Sequence, residues 1–308
     1  MIDNLDHLAH SAAHGPFLVV AIGFMLLEYG LSRLAHHADE THDLSETAAT
    51  FGVAIGHKIV RALEAGLVAV PYAFVYAHRL FDIDAAGPLR LLALFLAVEF
   101  IYYWHHRASH RIRWMWATHA VHHTPTRMNM TAAIRLGWTG TISGNFLFFL
   151  PLVWIGFNPI AIVAMLGANL AYQFFIHTEF KPRLGPLEWV LNTPTHHRVH
   201  HAANRACIDK NYGGVLIVFD RLFGTFAAPP VGERLRYGVS GRETTLNPVW
   251  IALGEWAAIG RDLRLAATLS DKLRVMFAPP GRASRPTLSP KPLPRGMHSA
   301  PAPLGDQI

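Results

Sequence analysis

The sequence predicts an all-α, integral membrane helical bundle with about four transmembrane helices and a histidine-rich helical cap on the cytoplasmic side. Three observations lead to this prediction. Hydrophobic residues make up 51% of the 308 residues and charged residues only 16%, against about 25% charged in ordinary soluble domains. A run of 43 residues, 136–178, contains no Asp, Glu, Lys or Arg. Eleven of the twenty histidines fall between residues 105 and 201.

The uncharged run is long enough for two membrane crossings, because one helical crossing needs about 20 residues. Asn158-Pro159 lies near its middle, and such a dipeptide is typical of a turn. We therefore predict a helical hairpin, with one crossing at 141–157 and the return at 159–176.

Three further apolar segments carry isolated charges, namely 16–35, 62–77 and 88–104. A charge at the centre of a spanning helix costs about 2.5–3.5 kcal/mol on insertion scales. These segments are therefore expected to face a protein interior or to lie partly in the membrane interface. The total is a prediction of about four crossings.

Basic residues predict the orientation, since they are enriched in cytoplasmic loops. They concentrate on both sides of the hairpin, whereas the opposite face has little beyond Arg79 and Arg90. The histidine-bearing segments are therefore predicted to be cytoplasmic, in a bacterial inner membrane or, in a eukaryote, the endoplasmic reticulum. The basic residues beside the hairpin are Arg107, Arg111, Arg113, Arg127, Arg135, Lys181, Arg183, Arg198, Arg205 and Lys210.

Composition also excludes several classes of protein. A single cysteine excludes a disulfide framework, a thiolate zinc site and a Cys-ligated iron–sulfur cluster. The net charge is +6, but the basic residues are scattered among long apolar runs. A lipid bilayer, and not a nucleic acid, is therefore the expected partner.

The chain divides into four predicted parts. Residues 1–87 are expected to be N-terminal membrane helices, and residues 88–227 the histidine-bearing domain. Residues 228–277 are expected to form a helical extension. From 278 to 308 the chain is rich in proline and poor in large apolar residues, which predicts a disordered tail.

The histidines are regularly spaced. They form one H-x3-H box, two H-x2-H-H boxes and a single position at the end of the apolar run. Residues three or four apart share one helix face, so the boxes can converge from separate helices on one place. The predicted metal ligands are His106, His110, His119, His122, His123, His177, His197, His200 and His201.

The number of histidines predicts two metal ions, because nine ligands exceed the four to six that one ion holds. Imidazole suits iron, zinc, copper and nickel. The boxes contain no Asp or Glu, which argues against carboxylate-rich di-iron bundles. His105 and His196 adjoin the boxes out of register, and His196 is a possible extra ligand.

On these residues the chain resembles the fatty acid hydroxylase and sterol desaturase superfamily of membrane di-iron oxygenases, over about residues 95–227. The three boxes occur in the order of that superfamily, and residues 193–201, 209–214 and 220–226 are similar to its third-box region. Within the superfamily, His177-Thr178-Glu179 and the third box look most like the alkylglycerol monooxygenase subfamily.

The resemblance implies an oxidoreductase with two iron ions that uses O2 to hydroxylate a C–H bond of a fatty acyl, sterol or ether lipid. The alternative is a lipid or sterol desaturase with the same site. It also implies a separate electron donor, and the subfamily likeness implies tetrahydrobiopterin as reductant. Several members have a histidine where this chain has Gln173, so nine ligands are expected instead of ten.

Metal-bound imidazoles need their second ring nitrogen held by another polar group. Five residues are candidates for this role, although each could equally be a helix cap or a surface pair: Glu99, Asn129, Gln173, Glu179 and Asp209. A membrane metal carrier is an alternative from another class of protein. It predicts ligands spaced through the spans, whereas here they cluster at one end.

Overall fold

The computed structural model describes residues 3–36, 38–84 and 87–281. Extended pairing among these residues is limited to isolated bridges such as Leu191 with Leu216, so the predicted all-α class is confirmed. Most of the predicted tail, from residue 282, lies outside the described residues. The α-helices are α1 (Asp3–Leu34), α2 (Ala38–Thr41), α3 (Leu44–Ala77), α4 (Pro88–Arg111), α5 (Arg113–His123), α6 (Leu150–Ile155), α7 (Pro159–Ile176), α8 (Pro194–His201), α9 (Val218–Leu222), α10 (Pro248–Leu265) and α11 (Leu269–Phe277).

Three helices of the described chain are long and apolar enough to cross a membrane: Phe17–Leu34 within α1, the whole of α3, and α7. The predicted count of about four is not confirmed. α3 is twice as long as the segment 62–77 because it begins at Leu44, where the Asp43 carboxylate accepts a hydrogen bond from the Glu46 amide at 3.0 Å. The segment 88–104 is helical within α4, whose C-terminal part is polar.

The first half of the predicted hairpin is wrong. Gly144 adopts a left-handed conformation, and a 3-10 turn (Asn145–Phe149) leads into the six-residue α6. Gly156 ends α6 where a Cβ would lie 2.0 Å from the Phe81 carbonyl oxygen. The apolar helical stretch therefore runs only from Asn145 to Ile155, too short for a crossing of about 20 residues.

The second half of the hairpin is confirmed. The Asn158 side chain accepts a hydrogen bond from the Ile160 amide at 2.8 Å, which caps the helix, and Pro159 occupies its first turn. α7 then continues without interruption to Ile176. It packs with α3, α4 and α6 around an apolar core that contains Tyr72, Leu94, Val98, Phe149, Leu152, Val153, Phe157 and Ile162.

The C-terminal helices hold α5 in place. Ala117 of α5 packs on Ile259 of α10 and Val275 of α11. At the start of α5, the buried Arg113 guanidinium donates to Glu255 at 2.9 Å and to Asp262 at 2.6 Å. Both carboxylates belong to α10, so α4 and α5 are fixed at the point where they meet.

Arg135 joins the start of α3 to the end of α5 and is only 1% exposed. Its guanidinium donates to the Thr50 hydroxyl at 2.9 Å, to the Glu46 carbonyl oxygen at 2.9 Å and to the Thr124 hydroxyl at 3.2 Å. The Glu46 carboxylate lies 3.4 Å away and also accepts from the Thr126 amide. A charge this deeply buried is stable only when paired and hydrogen-bonded.

Replacing Glu46 with alanine should therefore destabilise the protein strongly. The change leaves the Arg135 charge buried without its carboxylate, and such losses cost about 3–5 kcal/mol. Thermal unfolding in detergent is the measurement. Glu40→Ala is the matched control, because its partner Arg234 is 78% exposed and exposed pairs contribute about 0–1 kcal/mol. Equal losses in the two variants would contradict this prediction.

Candidate metal centre

The structure brings all nine predicted ligand histidines together in two adjacent clusters. Within each cluster, one ring nitrogen of every residue lies within 4.8 Å of those of the others. The five-histidine cluster consists of His106, His110, His119, His123 and His200. The four-histidine cluster consists of His122, His177, His197 and His201.

The two H-x2-H-H boxes each contribute to both clusters. In α5, His119 and His123 belong to the five-histidine cluster and His122 to the other. In α8, His197 and His201 belong to the four-histidine cluster and His200 to the five-histidine cluster. Histidines four apart lie on one helix face, whereas the one between them is turned aside. Both helices therefore run along the boundary between the clusters.

Backbone carbonyls fix the orientation of three rings. The Nδ1–H groups donate to carbonyl oxygens: His106 to Tyr212 at 2.7 Å, His177 to Gln173 at 2.6 Å and His200 to Lys210 at 2.9 Å. A neutral imidazole carries one N–H, so Nε2 of each ring holds a lone pair.

These lone pairs point toward other rings. His177 Nε2 lies 2.9 Å from His197 Nε2 and 3.1 Å from His122 Nε2. In the five-histidine cluster, Nε2 of His110 and of His200 are buried without any partner. An unsatisfied buried nitrogen costs about 1–3 kcal/mol, and a metal ion coordinated by the rings would remove that cost. The residues therefore fit a metal.

The rings are in the protonation state that binds metal. Burial lowers the pKa of His122 to about 4 and that of His200 to about 3. Burial, with the neighbouring rings adding to it, also lowers the pKa of His110 and of His201 well below the ordinary value. Neutral imidazole is the form that coordinates a cation.

Gln173 supports the site through its backbone, not its side chain. Its carbonyl oxygen accepts from His177 Nδ1. The side-chain oxygen accepts from the Tyr102 hydroxyl at 3.0 Å, and the side-chain nitrogen donates to Asn169. The candidate role of the Gln173 side chain in holding a ring nitrogen is therefore not observed, and its backbone carbonyl has that role for His177.

Two predicted supporting carboxylates hold other groups than histidine rings. Glu99 accepts from the Val215 and Leu216 amides, each at 2.9 Å. Asp209 pairs with Arg111 at 3.0 Å and has a left-handed φ of 61°. Neither carboxylate holds a ring nitrogen among the described residues, and backbone carbonyls have that role for His106, His177 and His200.

The other predicted supporting residues also lie away from the rings. Glu179 accepts from the Tyr237 hydroxyl at 2.6 Å, and the Asn129 amide donates to the Thr41 carbonyl oxygen at 2.7 Å. His196 belongs to neither cluster. Its Nδ1 accepts from the Thr193 amide at 3.4 Å, within a capping box that starts α8.

Sequence reasoning missed the groups that hold the loop 209–214 against the rings. The Asp220 carboxylate accepts from the Tyr212 amide at 2.8 Å and the Gly213 amide at 2.7 Å. Asn211, with a φ of 57°, donates to the carbonyl oxygens of His196 and Ala227. The similarity of 209–214 and 220–226 to the superfamily was the available signal, but it gave these residues no role.

Two histidine clusters that could hold metal ions lie at one end of a candidate membrane span, and comparisons with known proteins show what the chain is similar to. Residues 91–225 match the family model described as fatty acid hydroxylase. No solved structure matches the chain significantly.

Several curated relatives carry monooxygenase or hydroxylase names. The chain is 38% identical over 217 residues to alkylglycerol monooxygenase of Xenopus tropicalis, covering 70% of this chain and 48% of the relative. It is 41% identical over 205 residues to the Homo sapiens protein of that name, covering 66% of this chain and 45% of the relative. The chain thus spans about half the length of these relatives. Ornithine lipid hydroxylase OlsE of Rhizobium tropici is 29% identical over 230 residues, covering 73% of this chain and 68% of the relative.

Gln173→Leu should lower thermal stability without changing the number of metal ions per chain. The substitution removes the acceptor of the Tyr102 hydroxyl and the donor to the Asn169 side-chain oxygen, at about 1–3 kcal/mol each, but keeps the carbonyl that holds His177. Unfolding temperature and elemental analysis of the same preparation test this. His177→Ala serves as the comparison that removes a ring, and a matching metal loss in Gln173→Leu would refute the backbone role.

Proposed function

We propose that the chain is a membrane-embedded, non-haem di-iron oxidoreductase. It uses O2 to hydroxylate a C–H bond of a lipid substrate, a fatty acyl, sterol or ether lipid. The two adjacent buried clusters of five and four imidazoles carry this proposal. The hydroxylase and monooxygenase names of the relatives support a lipid substrate.

The five-histidine cluster would hold one iron ion and the four-histidine cluster the other. When bound, the iron pair supplies the activation of O2 that oxidation of an unactivated C–H bond requires. All-nitrogen neutral ligands leave the positive charge of the ions uncompensated, which favours a strongly oxidising centre. The carbonyls of Gln173, Lys210 and Tyr212 orient the rings and keep their Nε2 atoms free of protons.

The position of the clusters supports a reaction beside the bilayer. His177 directly follows the last residue of α7, so the four-histidine cluster lies at one end of a candidate membrane span. An apolar chain can approach this cluster from the membrane. We assign the histidine-bearing side to the cytoplasm, as the distribution of basic residues predicts.

Hydroxylation with O2 needs two electrons and two protons, because the second oxygen atom leaves as water. With a single buried cysteine and no dinucleotide fingerprint in the sequence, the chain is proposed to take these electrons from a separate donor. The similarity to alkylglycerol monooxygenases favours a small reductant such as tetrahydrobiopterin.

Anaerobically purified protein should contain about two irons per chain. His200→Ala and His197→Ala, one from each cluster, should lose iron together with activity, since each removes a ring from the coordination of one ion. His78→Ala is the control, because His78 is exposed and far from the boxes in sequence. Full iron content in either cluster variant would remove that residue from the ligand set.

The product of a turnover with ¹⁸O2 should be heavier by one labelled oxygen. A desaturase with the same site would instead yield a product lighter by two hydrogens. Mass spectrometry of lipids after incubation with the iron-loaded protein and a reductant distinguishes the two outcomes. Anaerobic removal of iron with a chelator should abolish the mass shift, and readdition of ferrous iron should restore it.

A further inference from the structure

Two short segments pack together beside α4 and α7 and expose an apolar surface that the proposed reaction does not use. We call residues 184–192 and 213–223 the apolar shelf. The Asn192 amide donates to the Val215 carbonyl oxygen at 2.8 Å, and the Ile217 amide to the Val190 carbonyl oxygen at 2.9 Å. These bonds make the two segments one unit.

The shelf extends back along α7, toward the centre of the candidate span. Gly214 packs so closely on Asn169 that a Cβ would lie 2.2 Å from the Asn169 side-chain nitrogen. Asn169 precedes Ile176, the last residue of α7, by seven positions, which is roughly 10 Å along a helix. Part of the shelf therefore lies below the level at which α7 ends.

The shelf presents large apolar side chains to its surroundings. Leu187 is 55% exposed, Trp189 66% and Leu222 71%. On α7, Leu170 follows Asn169 directly and is also exposed. Through the contact of Gly214 with Asn169, the shelf therefore adjoins a candidate membrane span.

The shelf is not regular helix, yet buried side chains satisfy many of its peptide groups. Glu99 accepts from the Val215 and Leu216 amides. The Asn192 amide group donates to the Gly213 carbonyl oxygen at 2.6 Å and to that of Gly214 at 3.2 Å. Non-helical backbone at membrane depth requires such internal partners.

We propose that the apolar shelf inserts into the membrane interface, with Leu187, Trp189 and Leu222 among the lipid acyl chains near the headgroups. Arg221 lies over the Trp189 ring at 4.3 Å, and exposed Lys181 and Arg183 are close by in sequence. Tryptophan and basic side chains are typical anchors at this level of a bilayer. The proposal depends on α7 crossing the membrane and is independent of the metal and the reaction.

Site-directed labelling tests the proposal directly, because Cys207 is the single cysteine and is buried. In a Cys207→Ser background, a nitroxide is attached at Leu187→Cys or Leu222→Cys, and the protein is placed in bilayer nanodiscs. Val163→Cys, one helical turn into α7 and exposed, is the lipid-facing control. Val231→Cys, at a fully exposed position, is the water-facing control.

The shelf labels should resemble the Val163 label, with collisions with O2 favoured over those with a water-soluble nickel chelate. Labels that behave like the Val231 label would overturn the proposal. Protection from both reagents would also overturn it, because the shelf would then be covered by protein, such as a second copy of this chain. Thermal unfolding of each labelled protein, compared with the Cys207→Ser parent, shows whether the fold is retained.

A second measurement needs no label. Lipids brominated near the headgroup should quench wild-type tryptophan fluorescence by a larger fraction than that of Trp189→Phe, because Trp189 contributes a quenchable component. Equal fractional quenching in the two proteins would place Trp189 out of contact with lipid and overturn the proposal. Neither experiment uses activity, so failure of the proposed reaction would not affect the result.

Discussion

Nine imidazole rings with their nitrogens pointing toward each other, eight of them buried and His119 partly buried, are the constraint on which the rest of the structure depends. Two ring nitrogens that both lack a proton cannot hydrogen-bond to each other, and burial opposes protonation of the rings. Such an arrangement is stable when cations sit between the rings and when other groups fix the ring orientation. The left-handed turns at Asp209 and Asn211 and the carboxylate of Asp220 serve this second need, since they present the carbonyls of the loop 209–214 to the rings.

The clustering of the histidines was predictable from the sequence, whereas the groups that orient their rings were not. Histidines at four-residue spacing share a helix face, so the boxes reveal His106 with His110 and His119 with His123 directly. Three rings are held by backbone carbonyls, which every residue has and no pattern marks. The carboxylates chosen instead, Glu99 among them, bind loop amides that are distant in sequence. Such pairings depend on how segments pack.

Hydropathy predicted one half of the hairpin correctly and the other half wrongly, for a similar reason. It identified α7, whose start is marked by Asn158-Pro159, but it also assigned a crossing to 141–157. A run of apolar residues indicates that a segment can lie in an apolar environment. It does not indicate that the backbone of the segment stays helical. The left-handed Gly144 and the close contact of Gly156 with Phe81 divide that run into a turn and a short helix. These contacts are tertiary, so composition alone could not reveal them.

The shelf and the clusters are mechanically connected. The Tyr172 hydroxyl of α7 donates to the Asn192 carbonyl oxygen at 2.6 Å, and α8 with the third histidine box begins two residues later, at Pro194. The depth of the shelf relative to α7 therefore sets the position of His197, His200 and His201 relative to the bilayer. Because α8 contributes rings to both clusters, a shelf held in the interface keeps the whole site at the boundary where apolar chains end and water begins.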